Sequence, residues 1–464
     1  MVGSERRTRP GRQGNRPRGA SAYLGPCTGS APRSTAGNVV PLPGVPGTWK
    51  DGDGLMVADG SAGRPERRSF DLARVNSEHG AAGAYARWRE HGSVAFAEAF
   101  GGYHAVLGFE AVRACAADTG RLVSRDGATI PVLRKDARSV PVEMDPPEHG
   151  KYRRLLQGPL RPDRVQPWAG RIAAITDRVI DEFIELGQAD LRRIAEVVPP
   201  AVIAEILGVP GEAPAMAEMT GMLNRAIGSP DPEAGKAAAG VFTRYIDGLV
   251  ARAGSAGDRT GLLAAIVHGE VDGQPLSHDM AAGIAVTLVV AGQETTVNGI
   301  GSMLWLLGAH PEAKQRLLDD AALVPRAVEE ALRLESPVQM MGRTAAEDLL
   351  VGGVQVRKGD KVGLVFGAAN LDPARYPAPG EFDLDRPSPA AHLAFGHGIH
   401  RCVGEHLART EMRTVLERVL ARIPDYRLAG PVTLGASVAF NRGPLAVPVV
   451  FTPGPAGTGQ GEGP

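Results

Sequence analysis

The stretch Phe395-Gly396-His397-Gly398-Ile399-His400-Arg401-Cys402-Val403-Gly404 sets one cysteine after a glycine-spaced loop and directly before a helical pattern. Val415, Leu416, Val419 and Leu420 recur downstream at helical spacing, so Cys402 stands at the mouth of a helix. A thiolate is favoured there, because free backbone N–H groups and the helix dipole stabilise negative charge. Gly396 and Gly398 permit tight turns, and Gly404 leaves room for a flat macrocycle close to the backbone. Phe395 can pack against such a ring. Two readings of the thiolate are open at this point: an axial ligand to haem iron, or a zinc site built from His392, His397, Cys402 and His406.

Working outward, the rest of the chain excludes several classes. The three cysteines, Cys27, Cys115 and Cys402, lie too far apart for a disulfide framework or a CxxC metal knuckle, which fits a reducing, cytoplasmic setting. With 464 residues, 43% hydrophobic and 22% charged, the chain has ample material for a large core. A formal net charge of -1 gives no reason to expect nucleic-acid or membrane-surface binding. The most apolar run, Ala281 to Gly292, is too short to span a bilayer.

Residues 1–66 are dense in Gly, Pro, Ser and Arg without apolar periodicity, and read as a disordered arm. Arg6-Arg7 lacks the following apolar region that twin-arginine export requires, and Met56 is an alternative start. Residues 67–452 read as one mainly α domain with small β-sheets, and 453–464 as a second short disordered tail. The periodicity predicts helices around 76–91, 146–158, 165–187, 191–207, 235–252, 277–309, 311–319, 324–335 and 402–422, with Ser277 as the cap of the longest. Strand-like runs cover Tyr103–Leu107, Leu349–Val356, Lys361–Leu364 and Leu445–Phe451.

Further segments stand out. Glu330 and Arg333 fall at i, i+3 on one helix face. Pro146-Pro147 precedes a helix that sets His149 and Arg153 at i, i+4. Ala291-Gly292-Gln293-Glu294-Thr295-Thr296 puts an acid and hydroxyls inside a long apolar helix, a costly arrangement unless they act. The bland account is Thr back-bonding to the preceding turn, with Glu294 reaching a cation.

The Cys402 decapeptide fits F-x-x-G-x-x-x-C-x-G and resembles the ligand loop of the cytochrome P-450 superfamily, the haem-thiolate monooxygenases. The resemblance extends over roughly residues 70–451. It implies a single triangular-prism fold with haem between the distal helix (277–309) and the proximal helix (402–422), heme b as cofactor, and Cys402 as the iron ligand within the loop of Phe395, Gly396 and Gly404. Asp145-Pro146-Pro147-Glu148-His149 through Arg153 is similar to the family's propionate-binding segment, with Arg343 and His400 as further propionate partners. Ala291, Gly292, Glu294 and Thr295 match the family's distal motif. There Thr295 would hydrogen-bond dioxygen and Glu294 would relay protons. The family buries its E-x-x-R pair with a third basic residue from a P-x-R-F segment. Here Pro379-Gly380-Glu381-Phe382 carries Glu in that place, leaving Arg386 or a histidine as substitutes.

The activity implied is insertion of one oxygen atom, by hydroxylation or epoxidation, into a small, largely apolar molecule of secondary metabolism. With no flavin, nicotinamide or iron–sulfur motif in the chain, a ferredoxin and its reductase would supply electrons. Arg154, Arg401, Arg409 and Arg413 are candidates for a basic docking face. Substrate would be lined by 120–140, 209–235 and residues including Val286, Val290, Ala291, Val338, Met340, Met341 and Phe440. Alternatives are a haem-thiolate enzyme for oxidative coupling, dehydration or peroxide use, and a non-catalytic member that recruits a partner protein.

Overall fold

The computed structural model describes residues 69–78, 80–132, 138–227, 232–255, 260–435 and 440–457. The arm expected over 1–66 lies outside them, as does the tail from 458 onward. From 453 to 457 the chain stays on the body: Gly454 N–H donates to Ile184 O (3.2 Å) and Gly457 N–H to an Asp181 carboxylate oxygen (2.9 Å).

The largest core is helical and is organised around one long helix, His278–Ala309. Ser277 caps it as the sequence predicts, its hydroxyl accepting from Met280 N–H at 3.3 Å. It stops before His310-Pro311, since a residue preceding proline is pushed out of the helical region. By length and composition this helix is able to cross a bilayer, contrary to the expectation from the run ending at Gly292. Its apolar side chains are used inside the protein instead. Ile284, Val289, Ile300 and Leu304 are fully buried in a core shared with the helices Arg192–Leu207, Pro232–Ser255 and Glu405–Arg422.

Beside the helices, among the described residues, a five-stranded sheet runs in the order Val94–Ala97, Tyr103–Val106, Lys361–Leu364, Met341–Ala345, Leu122–Val123. Only the pairing of Tyr103–Val106 with Lys361–Leu364 is parallel, with Val362 opposite His104. The expected strand Leu349–Val356 is a hairpin, because Gly352 and Gly353, at φ +55° and +82°, turn the chain between two short strands.

Among the described residues, three helices of seven residues or more escaped the sequence reading: Phe109–Ala117, Ala213–Ile227 and Gly261–Val267. The first and last are short and hold together by packing rather than by propensity. The middle one falls in a stretch read only as variable. The fold is mainly α with small sheets, and the long helix and the last helix, Glu405–Arg422, bound the cavity described next.

Candidate active site

Cys402 sits in the loop just before the last helix, whose first residue is Glu405. Its N–H donates to Phe395 O at 2.8 Å, closing the loop on itself, and Gly396 N–H donates to Leu393 O at 2.8 Å. Gly396 and Gly398 hold φ of +71° and +70°, which favours glycine. A Cβ on Gly398 would also approach Ala116 O at 2.8 Å. The loop is therefore fixed by its own backbone.

Cys402 is exposed, but only onto a cavity inside the protein. Burial pushes its thiol up, while the Gly404 N–H and the guanidinium groups of Arg153 and Arg409 oppose that shift. About 1580 Å³ of atom-free space, part of it opening to solvent, lies between this loop and the long helix, and its lining is predominantly apolar. Phe395, Gly396, His400, Cys402 and Gly404 line it from the loop, and Ala291, Gly292, Thr295 and Thr296 from the long helix.

A ring of basic side chains faces the same space. The helix Glu148–Gln157 presents His149, Arg153 and Leu156 on one side. In the strand Met341–Ala345, the two-residue period puts Met341 and Arg343 on the cavity face. The His149 and His400 rings meet edge-on at 4.5 Å, and His400 Nε2 is 3.2 Å from Ser124 Oγ. Arg153 donates to Arg401 O, tying its helix to the ligand loop.

These cations lack anions. Arg343 is 4% exposed, donates to Gly342 O at 2.6 Å, and leaves Nε without a partner; His149 Nε2 is likewise unpartnered. Burial pulls Arg343 down to about 10, against the attraction of Asp145. His400 is pushed down to about 3 by burial, then by Arg343, His149 and Arg153. The two guanidinium groups of this ring, Arg153 and Arg343, are aimed into one cavity and call for anionic groups from a ligand. A flat macrocycle with two carboxylates fits this lining, with an apolar body and a cationic rim.

Glu294 and Thr295 follow a different pattern from the one expected. Thr295 lines the cavity, but its hydroxyl donates to Ala291 O at 2.8 Å, the back-bonding of the bland account. Glu294 is off the cavity wall, and two side-chain amides meet it. It accepts from Asn224 at 3.2 Å and from Asn298 at 3.1 Å, and Asn298 accepts in turn from Arg192 at 3.1 Å. Asn224 belongs to the helix Ala213–Ile227, which nothing in the sequence connected to this acid.

The third partner of Glu330 and Arg333 is Arg386. Arg333 Nε lies 2.7 Å from Glu330 and Arg386 Nε 2.9 Å from it, all three buried. Glu381 contributes only its carbonyl, which accepts from Arg333 at 3.0 Å and from Arg386 at 3.2 Å. No three groups able to ligate a metal come together among the described residues, which removes the zinc reading of His392, His397, Cys402 and His406. His392 instead meets Glu329 at 3.0 Å.

The family model described as Cytochrome P450 matches residues 251–423. The steroid C26-monooxygenase of Mycolicibacterium smegmatis is 35% identical over 331 residues, spanning 69% of this chain and 82% of that protein. The chain belongs to the cytochrome P450 family. The mycinamicin IV hydroxylase/epoxidase of Micromonospora griseorubida is another relative of this cytochrome P450, 34% identical over 361 residues, or 75% of this chain and 89% of that one. In three dimensions it is similar to CYP108D1 from Novosphingobium aromaticivorans, with a TM-score of 0.73, 29% identity, and coverage of 82% and 96% of the two chains. Membership makes it a haem-thiolate monooxygenase whose cofactor is heme b, bound through a cysteine thiolate.

In this cytochrome P450, Gly398→Ala is expected to cost about 1–3 kcal/mol, the strain of a side chain in a left-handed conformation, and to lower both melting temperature and haem content. A variant that melts and loads as the parent does would refute the view that glycine is required there.

The substrate lining expected from sequence is partly corrected. Ala291, Val338 and Met341 line the cavity, joined by Ile203, Leu288 and Phe366. Val286 and Val290 pack against the main core, while Met340 and Phe440 belong to a separate cluster beside Tyr103. On the long helix the rotation selects Thr287, Leu288 and Ala291, not the valines between them. Residues 436–439, just before Phe440, lie outside the described residues.

Proposed function

We propose that this cytochrome P450 hydroxylates or epoxidises a largely apolar molecule of secondary metabolism in the cytoplasm, drawing electrons from a ferredoxin and its reductase. The observation that carries this reading is that Cys402 and the Glu294–Thr295 helix face one apolar cavity rimmed by basic side chains, with Arg343 Nε and His149 Nε2 left without a partner. Relatives named for a steroid and for mycinamicin IV support a substrate of that bulk and polarity.

In this reading Cys402 is the thiolate ligand, and Phe395, Gly396 and Gly404 shape the loop around it. His149, Arg153, Arg343 and His400 hold the two propionates, which supply the anions that Arg343 Nε and His149 Nε2 lack. Ala291 and Gly292 form the distal floor, where Ile203 already approaches Gly292 closely. Heme b, when bound, supplies the activation of dioxygen, with electron density pushed from the thiolate. Thr295, donating to Ala291 O, keeps its oxygen lone pairs toward the cavity, and rotation of the hydroxyl lets it pass a proton there. Glu294 carries protons to it from the Asn224 and Asn298 side once those amides release the carboxylate. The apolar walls exclude water and hold substrate.

Three of the arginines expected at a basic docking face lie against acids. Arg409 bonds Glu329 and Glu405, Arg401 pairs with Glu405, and Arg413 lies 3.8 Å from Glu417. A surface hollow beside the ligand loop is lined by Arg113, Arg375, His397 and Arg401, with Glu110 as its acid. Arg375 is held over the Phe109 ring at 5.4 Å. This hollow, with exposed Arg154 nearby in the helix tied to the loop, supports docking of an acidic ferredoxin.

Turnover of a panel of steroids and macrolactones tests the reading. Product is expected with dioxygen, ferredoxin and reductase, and Glu294→Gln should lower that rate by about a hundredfold, as loss of a general acid does, while peroxide-driven turnover stays at the parent level. Turnover by peroxide alone, with no product from the ferredoxin chain, would favour the peroxide-using alternative.

A further inference from the structure

The short run between the helix Val324–Leu334 and the strand Met341–Ala345 supplies one wall of the cavity, through Pro337, Val338 and Met341. The residues that flank Pro337 and Val338 are polar. Glu335, Ser336 and Gln339 are all buried, and none of them lines the cavity. Gln339 is bonded through backbone and side chain alike. Its N–H donates to Phe440 O at 2.7 Å, and its carbonyl accepts from Gly367 N–H at 3.2 Å. Its side-chain amide donates to Ser336 O at 2.6 Å and accepts from the Tyr85 hydroxyl at 2.6 Å. A Cβ on Gly367 would collide with that amide, so glycine makes the room for it. Tyr85 is fully buried in the helix Ala81–Arg89 and is not part of the cavity lining.

The other end of the run is held by Arg442, whose N–H donates to Pro337 O at 2.9 Å and whose guanidinium lies 2.6 Å from Glu335. The same guanidinium donates to Val75 O at 3.0 Å, Asn76 O at 2.6 Å and Glu78 O at 2.8 Å, at the end of the helix Leu72–Ser77, where a helix runs short of donors. Val338 thus sits between two anchors, each tied to an N-terminal helix. Apolar residues would fill these buried places with less desolvation. A buried ion pair or bonded amide adds little stability over apolar packing, and what it contributes instead is one fixed geometry.

We propose that Tyr85 and Gln339 are positioning residues for substrate: the Tyr85 hydroxyl, through the Gln339 amide, fixes Val338 and Met341 in the cavity wall, so that the helix Ala81–Arg89 takes part in substrate selection without touching substrate. The ligand selected is bulky and apolar, meeting Val338 and Met341 as van der Waals neighbours. A wall already fixed in the folded protein loses no further freedom when such a ligand arrives. A loosened wall must be ordered by the ligand itself, which weakens binding. A small ligand that reaches only the iron does not meet this wall and is indifferent to it. The inference rests on the reading of the cavity as a haem and substrate chamber, but not on the roles given to Glu294 and Thr295.

The test uses the holoenzyme and two azoles that ligate haem iron, imidazole and the bulky triaryl imidazole clotrimazole, each followed by the shift of the Soret band. In Tyr85→Phe the dissociation constant of imidazole should stay at the parent value and that of clotrimazole should rise about tenfold, as loss of one buried hydrogen bond allows. Gln339→Met, which keeps the length and drops the polar end, should do the same. The double variant should be no weaker than the single ones, because all three break the same connection. The carbon monoxide band should stay in place throughout. A merely structural role would lower melting temperature and leave the ratio of the two constants alone. A ratio within about twofold of the parent, tighter clotrimazole binding, or additive losses in the double variant overturns the proposal. If Tyr85→Phe does not take up haem, Gln339→Met decides by the same ratio. A parent protein without any azole shift would remove the haem reading of the cavity, whereas a normal parent shift with an unchanged ratio removes this inference alone.

Discussion

Cys402→Ala abolishes the red-shifted Soret band that thiolate-ligated haem shows when reduced under carbon monoxide, and turnover falls by about three orders of magnitude or more, as loss of an indispensable active-site group does. The loop around the vacated position should survive. Its closure depends on the Cys402 N–H to Phe395 O bond and on Gly396 N–H to Leu393 O, neither of which uses the sulfur. The loss is thus chemical rather than a collapse of the fold, and far-ultraviolet circular dichroism should match the parent. The cationic rim also remains, so some haem binding through its carboxylates is expected with an altered spectrum. A Cys402→Ala protein that kept the red-shifted band would sink the assignment.

The second large effect concerns stability. Glu330→Ala is expected to cost about 3–5 kcal/mol, because it leaves two buried guanidinium groups without their counter-charge. Glu330 and Arg333 side chains are fully buried and that of Arg386 is 5% exposed, so solvent offers little screening. The damage should reach the ligand loop. Arg333 donates to Asn370 O at 3.0 Å, and the Asn370 side chain accepts from Leu393 N–H at 2.6 Å, just before Phe395. Lower melting temperature and lower haem content should therefore appear together. Arg386→Ala is expected to be nearly as harmful, whereas Glu381→Ala, losing an exposed side chain whose carbonyl does the bonding, should stay within about 0.5 kcal/mol. A stable Arg386→Ala protein, melting with the parent, would contradict the triad.

That triad shows where sequence reading reached its limit. Glu330 and Arg333 are three residues apart on one helix, so their pairing follows from helical spacing. Arg386 lies far along the chain, in a segment without regular structure, and its choice over a histidine depended on how that segment wraps beneath the helix. The ligand loop was legible for a similar reason. Positive-φ glycines and a cysteine before a helix are local requirements, and Gly396, Gly398 and Cys402 state them directly. The cap at Ser277 and the i, i+4 pair of His149 and Arg153 were legible in the same way.

Arg409 illustrates the opposite case. Its sequence position promised a surface charge, but packing carried it over the Phe395 ring at 4.4 Å and between Glu329 and Glu405. Glu294 found Asn224 on a helix that the periodicity did not predict. Sequence alone determined the cysteine loop, the ion-pair helix, the distal motif and the family they imply, because each is written in short-range spacing that the backbone enforces. Tertiary structure decided which distant groups complete those motifs, which arginines are held by acids, and which helix faces line the cavity. Those outcomes depend on helix rotation and burial, and both are set by the packing of the whole core.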